Sequence, residues 1–156
     1  MLAMPKECTS VTVKVQTLLL GEVEVPEDKL VTFVTPMLGF NHLKRFYLYQ
    51  TKEGPLFWLQ ALEETAVSFC LLSPFATALD PDMEITADEI ADITDRGVDD
   101  IDVYTVLVLD NDPNELRTNL RAPILIGRSS GKAKQIVLTD TRLPIKFYLR
   151  DAKPRP

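Results

Sequence analysis

His42 is the only histidine in this chain of 156 residues, and that count limits its chemistry. A Ser-His or Cys-His nucleophile would have to run through this one imidazole. His42 sits in Phe40-Asn41-His42-Leu43-Lys44, a turn-like stretch with no adjacent nucleophile, and reads as a surface or turn residue. A histidine-rich metal site is excluded by number. The two cysteines, Cys8 and Cys70, are far apart and form no CxxC pair, which argues against metal binding and redox catalysis. Cys70 lies in the apolar run Val67-Ser68-Phe69-Cys70-Leu71-Leu72 and reads as a small buried hydrophobe. Two stretches imitate ligand loops. Gly127-Arg128-Ser129-Ser130-Gly131-Lys132-Ala133 resembles a phosphate-binding loop, but its glycines are one residue too close, and Ala133 stands where a Mg²⁺-binding hydroxyl belongs. It falls between two strands, so a hairpin turn is expected. Asp80-Pro81-Asp82-Met83-Glu84 begins like a calcium loop, but Ile85 and Ala91 occupy the places of the required Gly and Glu. No catalytic residue, metal ligand or cofactor is expected.

The elements that would position any other site read as mostly β. Val11, Val13 and Val15 alternate with Thr12, Lys14 and Gln16, the period of a half-buried strand. Similar runs predict strands over 11–16, 21–25, 30–34, 45–50, 56–62, 67–72, 101–109, 122–126, 134–138 and 145–149. Their spacing suits a sandwich or small barrel. Trp58 is expected to pack, mostly buried, against the strand over 67–72. One short acidic helix is predicted. Thr86 and Glu89 have capping-box spacing, Ile85, Ile90 and Ile93 supply a narrow apolar stripe, and Gly97 is placed to end it. The expected domain is single, over 1–156, with its core at about 11–150 and a flexible tail at 151–156.

Composition agrees with a globular protein: 46% hydrophobic and 26% charged residues. No apolar run approaches the ~20 residues needed to cross a bilayer. The N-terminus shows no basic region followed by an apolar segment, so a cytoplasmic location is expected. The net charge of -6 is unevenly spread. Residues 80–102 hold ten acidic residues against the single basic Arg96, and 116–156 hold ten basic residues against Asp140 and Asp151. The two segments either occupy opposite faces or neutralise each other across a contact. The overall acidity argues against a dedicated nucleic-acid binder. Met37-Leu38-Gly39-Phe40, after Pro36 and among turn residues, reads as an apolar loop suited to partner contact.

Several short motifs share an order along the chain. They are Leu20-Gly21-Glu22-Val23-Glu24-Val25, Phe33-Val34-Thr35-Pro36-Met37-Leu38-Gly39-Phe40, Phe57-Trp58-Leu59-Gln60-Ala61-Leu62 and Leu72-Ser73-Pro74-Phe75. Asn119-Leu120-Arg121-Ala122-Pro123-Ile124 and Lys134-Gln135-Ile136-Val137-Leu138 follow. In this order and spacing the chain resembles the FliW family of flagellar assembly factors, over about residues 12–149. It departs from the family pattern in the loop, where Pro36 and Leu38 replace Gly and Pro, and at Glu63-Glu64-Thr65, where Glu-Asp-Pro is usual. The resemblance implies a non-enzymatic, all-β and mainly antiparallel domain, barrel-like, with one or two short helices and no cofactor. It implies a cytoplasmic protein of flagellum biogenesis with a chaperone-like role, binding flagellin and the RNA-binding translational regulator CsrA, with no direct nucleic-acid or membrane contact. Relief of CsrA repression would then couple flagellin synthesis to filament assembly. The alternative is a small β-barrel that binds a ligand or nucleic acid. Candidate partner contacts are Met37, Leu38 and Phe40 in the loop, Glu63 and Glu64, Asp99 and Asp100 in the acidic segment, and Asn119 and Arg121 in the Asn-Leu-Arg-Ala-Pro block.

Overall fold

The computed structural model describes residues 11–77 and 81–152. Cys8, Asp80 and most of the expected tail lie outside the described residues. The alternating valines form β1 (Thr12–Thr17), which pairs with β2 (Gly21–Pro26) as a separate antiparallel hairpin. Gly21 takes a φ of +72° at its turn, a conformation that costs a glycine little. The chain then runs through β3 (Leu30–Phe33), β4 (Arg45–Tyr49), β5 (Leu56–Ala61), β6 (Ser68–Leu72) and β7 (Ile101–Val108), each antiparallel to the one before. The short β8 (Arg117–Thr118), β9 (Ile124–Gly127), β10 (Lys132–Gln135) and β11 (Phe147–Tyr148) complete the set.

Closure depends on β7, the longest strand at eight residues. One edge pairs with β6 over Thr105, Val106 and Leu107. Its first half, Ile101 to Tyr104, pairs with β9, and its last residues, Leu107 and Val108, pair with β8. β9 continues to β10, and β10 returns to β3 as the one parallel pairing in the sheet. Strands β3 to β7, β9 and β10 therefore close a seven-stranded barrel, and β8 and β11 extend from the outer half of β7. Closure leaves no exposed barrel edge, which removes the usual site of strand-to-strand aggregation.

Phe46, Leu59, Leu71 and Ile124 fill the interior and are fully buried. Each contributes about 1.5–3 kcal/mol by leaving water. Phe33, Phe46 and Phe69 pack ring against ring at 5.0 and 6.3 Å, and Phe57 meets Tyr104 edge-on at 5.0 Å. A second cluster joins Ile90 and Ile93 to Ile101, Leu125, Leu138 and Leu143 on the barrel's outside. The hairpin is seated by a third, in which Val15 and Val25 meet Leu30.

All ten expected strands are present, with shifts. β10 starts two residues earlier than its apolar run, and 136–138 instead bond backbone to backbone with Pro123 and Arg121. β8 was not expected, because two residues carry no legible period. The helix α1 (Ala87–Ile90) begins as expected, with a complete capping box between Thr86 and Glu89. It lasts one turn, because Ile93 turns inward to pack on the barrel and Thr94 Oγ1 takes the Arg96 N–H. Gly97 lies beyond that end with φ +84° and an extended ψ of -176°, a corner and not a left-handed helix cap. Trp58 pairs with Cys70 as expected but is only half-buried.

Candidate partner-binding cleft

The loop after β3 is built by short backbone bonds, and Gly39 supplies the φ of +86° it needs. Phe40 N–H donates to Met37 O at 2.9 Å, and Leu43 N–H donates to Phe40 O at 3.1 Å. Gln135 of β10 clamps the loop from below. Its Oε1 accepts from Leu38 N–H at 3.2 Å, and its Nε2 donates to Ala122 O at 3.1 Å. One amide thereby ties the apolar loop to the Asn-Leu-Arg-Ala-Pro block.

The loop residues separate by burial. Met37, 3% exposed, belongs to the barrel core. Phe40 is half-buried and meets Phe69 edge-on at 5.0 Å. Leu38 is 67% exposed. Between this loop and the β7–β8 corner lies an apolar cleft of about 410 Å³. Phe69, Val106 and Ala122 are part of its lining, and Leu38, Val108 and Ile145, all exposed, stand at its rim. Asn119, Arg117 and Lys146 are its other polar neighbours besides Thr118 and Gln135. A concave apolar surface with few polar groups is suited to binding, and exposed Val and Ile side chains around it extend the contact area.

Of the candidate contacts, the cleft gathers Met37, Leu38, Phe40 and Asn119. Asn119 Oδ1 is occupied by the Arg121 N–H at 2.9 Å. Arg121 points away from the cleft's lining and staples the 141–143 turn, donating to Leu143 O at 2.8 Å and Thr141 O at 3.1 Å. Glu63 accepts from the Lys44 and Arg45 N–H groups at the start of β4, and Glu64 lies 3.0 Å from His42 Nε2. Neither Glu63 nor Glu64 lines the cleft. Arg117, Val108, Ile145, Lys146 and Gln135 were missed as candidates. Val108 and Ile145 carried a signal only as apolar residues near strand ends, and Arg117, Lys146 and Gln135 carried none.

Asp99 and Asp100 belong to a different surface. Residues 81–100 cross the outside of the barrel as a strap and meet the basic β9–β10 hairpin. Asp100 accepts from Ser129 Oγ at 2.6 Å, Thr94 Oγ1 at 2.7 Å and Ser129 N–H at 3.1 Å. The Ser129 hydroxyl above all, and then that of Thr94, hold its carboxyl below the usual range. The Arg128 guanidinium donates to Asp99 O and lies 3.5 Å from Asp102. Lys134 Nζ donates to Glu89 O at 2.7 Å and pairs with Asp92 at 3.1 Å. Of the two arrangements open for the charged segments, neutralisation across a contact is the one found. The outer face still exposes Asp82, Glu84, Asp88, Asp95 and Asp99. Gly127 is required here, because a Cβ would collide with the Ile93 carbonyl oxygen.

Burial pushes the Cys70 thiol up to about 11 and the Tyr104 hydroxyl up to about 12. Among the described residues, no three His, Cys, Asp or Glu side chains come together to hold a metal ion. No helix among them is long and apolar enough to cross a membrane.

Comparison with known proteins places the chain in one family. The family model described as FliW protein matches residues 14–149. A flagellar assembly factor FliW of Thermosipho africanus is 33% identical over 134 residues, covering 85% of this chain and 92% of that protein. Another, from Caldicellulosiruptor saccharolyticus, is 28% identical over 135 residues, covering 86% and 89%. A crystal structure of the flagellar assembly factor FliW superposes with a TM-score of 0.80 at 28% identity, over 88% of this chain and 96% of that one.

Proposed function

The chain belongs to the FliW family of flagellar assembly factors, and we propose that it acts in the cytoplasm by binding flagellin and antagonising the RNA-binding translational regulator CsrA. The match of nearly the whole barrel to the family carries the reading. Two chemically different surfaces support a protein with two partners. The cleft beside Leu38 offers apolar side chains with little competing hydrogen bonding, which suits a segment of flagellin. The acidic outer face of the strap suits a basic RNA-binding protein, since charge complementarity speeds encounter and selects partners. Flagellin in excess would draw the protein away from CsrA by mass action, so that stalled export restores repression of flagellin synthesis.

Isothermal titration of the purified protein against flagellin, and separately against CsrA, from the same organism tests the proposal. Saturable binding to each, with one-to-one heats for flagellin, is the expected result. Absence of heat with both partners, in a sample whose far-ultraviolet spectrum shows folded β structure, would refute it.

A further inference from the structure

We infer that the apolar cleft recognises a carboxylate together with an apolar side chain, so that its occupant is a flagellin segment carrying an acidic residue beside its apolar anchors. The inference rests on the reading above that the cleft takes flagellin.

The charge at the cleft opposes that of the molecule. The chain is net acidic at -6, yet none of the residues lining the cleft is acidic and two, Arg117 and Lys146, are basic. Both border the same cleft, Arg117 from β8 and Lys146 from the segment leading into β11. Tyr148 lies directly opposite Arg117, and Phe147 opposite Thr118. Lys146 lies in the bend just before β11, outside the paired residues. Both side chains are long and border one cleft, so a single carboxylate seated there can meet both.

Both cations are also unspent. The Arg117 guanidinium donates only through Nη1, to Glu115 O at 3.0 Å. Lys146 has no ion pair or hydrogen bond among the described residues. Elsewhere, Arg128 pairs with Asp102, Lys134 with Asp92, Arg142 with Asp140, and Arg150 with Glu115, whereas other cations without an ion pair among the described residues, such as Lys14, Lys29 and Lys52, do not line the cleft. At the cleft the rim cations meet apolar walls instead, where a carboxylate brought by a partner would be desolvated and bound more strongly than on an open surface. Arg117 retains N–H groups for a forked carboxylate contact, and Lys146 adds a mobile point charge.

The test titrates purified flagellin from the same organism into the wild-type protein and into Arg117→Gln/Lys146→Gln and Arg117→Glu/Lys146→Glu variants, at low and high salt. CsrA is titrated in parallel, and melting curves check folding. The charge-reversed variant should bind flagellin about tenfold more weakly at low salt, as repulsion replaces two interfacial charge pairs. The glutamine variant should lose most of the salt dependence of flagellin binding. CsrA affinity should stay within about twofold of wild type for both variants. Wild-type flagellin binding with unchanged affinity and salt slope in both variants would overturn the carboxylate inference alone. Equal weakening toward both partners would overturn it too, by showing that the cations serve no flagellin-specific site. If the wild-type protein fails to bind flagellin at all, the functional reading falls and this inference with it.

Discussion

Gln60 shows how one side chain can hold three segments. It is fully buried, its Nε2 donates to Ala61, Thr65 and Val67 carbonyls, and its Oε1 accepts from Leu18 N–H at 2.8 Å. That last bond seats the tip of the β1–β2 hairpin. Gln60→Leu keeps much of the volume but strands those groups, at about 1–3 kcal/mol for each one that water cannot reach. Urea denaturation should show a loss of at least that size with unchanged m-value. The Phe57-Trp58-Leu59-Gln60 run marked the position in the sequence, but alternation alone would have turned a polar residue outward. Trp58 was misjudged for the converse reason, since an aromatic on a strand reads as core whichever face it occupies. Cys70 was legible from its apolar neighbours. With its thiol pushed up to about 11 by burial, it should resist iodoacetamide at pH 8 in the native protein and react once unfolded, as peptide mass spectrometry would record.

The strap was half legible as an element. Its acidic composition and capping box stood out, whereas its docking on the β9–β10 hairpin required knowing that residues 37 positions apart, Ile93 and Ser130, share a hydrogen bond of 2.5 Å. The bonds from Ser129 and Thr94 lower the Asp100 carboxyl's pKa. A carboxyl lowered in the folded state adds stability that is full above its unfolded value, near pH 4, and lost as pH falls through the folded value. Asp102, raised by burial against the opposing pull of Arg128, works the other way and favours the folded state at acid pH. Asp100→Asn should therefore lower the melting temperature at pH 7 and flatten its fall toward pH 3 (about those values). An unchanged acid limb would show that Asp100 does not hold the strap. Gly127→Ala should loosen the same element by pushing on Ile93. Faster native-state hydrogen exchange at Ile93 and Thr94, with the barrel strands β4 to β6 still protected, is the expected pattern.

For the whole molecule, strand existence was readable from period-2 alternation, and barrel closure was not. Closure needs β7 to turn from β6 to β9, and β10 to lie parallel to β3, the latter a pairing between residues a hundred apart such as Ala133 and Phe33. Local pattern carries no information on such partners. The cleft was out of reach for the same reason, since it joins Leu38, Val106, Gln135 and Ile145 from four separate segments. Of its lining, only the loop residues, as apolar side chains between turn formers, and Asn119, in its motif, were legible. The resulting molecule has an apolar cleft with basic rim groups and, on a separate element, an acidic strap. Its proposed role requires that flagellin and CsrA draw on the same protein pool. Fluorescence anisotropy of a labelled flagellin leader RNA bound to CsrA reads this directly. Adding this protein should lower the anisotropy as CsrA leaves the RNA, and excess flagellin added next should raise it again. A signal unmoved by this protein, or one that flagellin cannot restore although it binds the protein, would contradict the coupling.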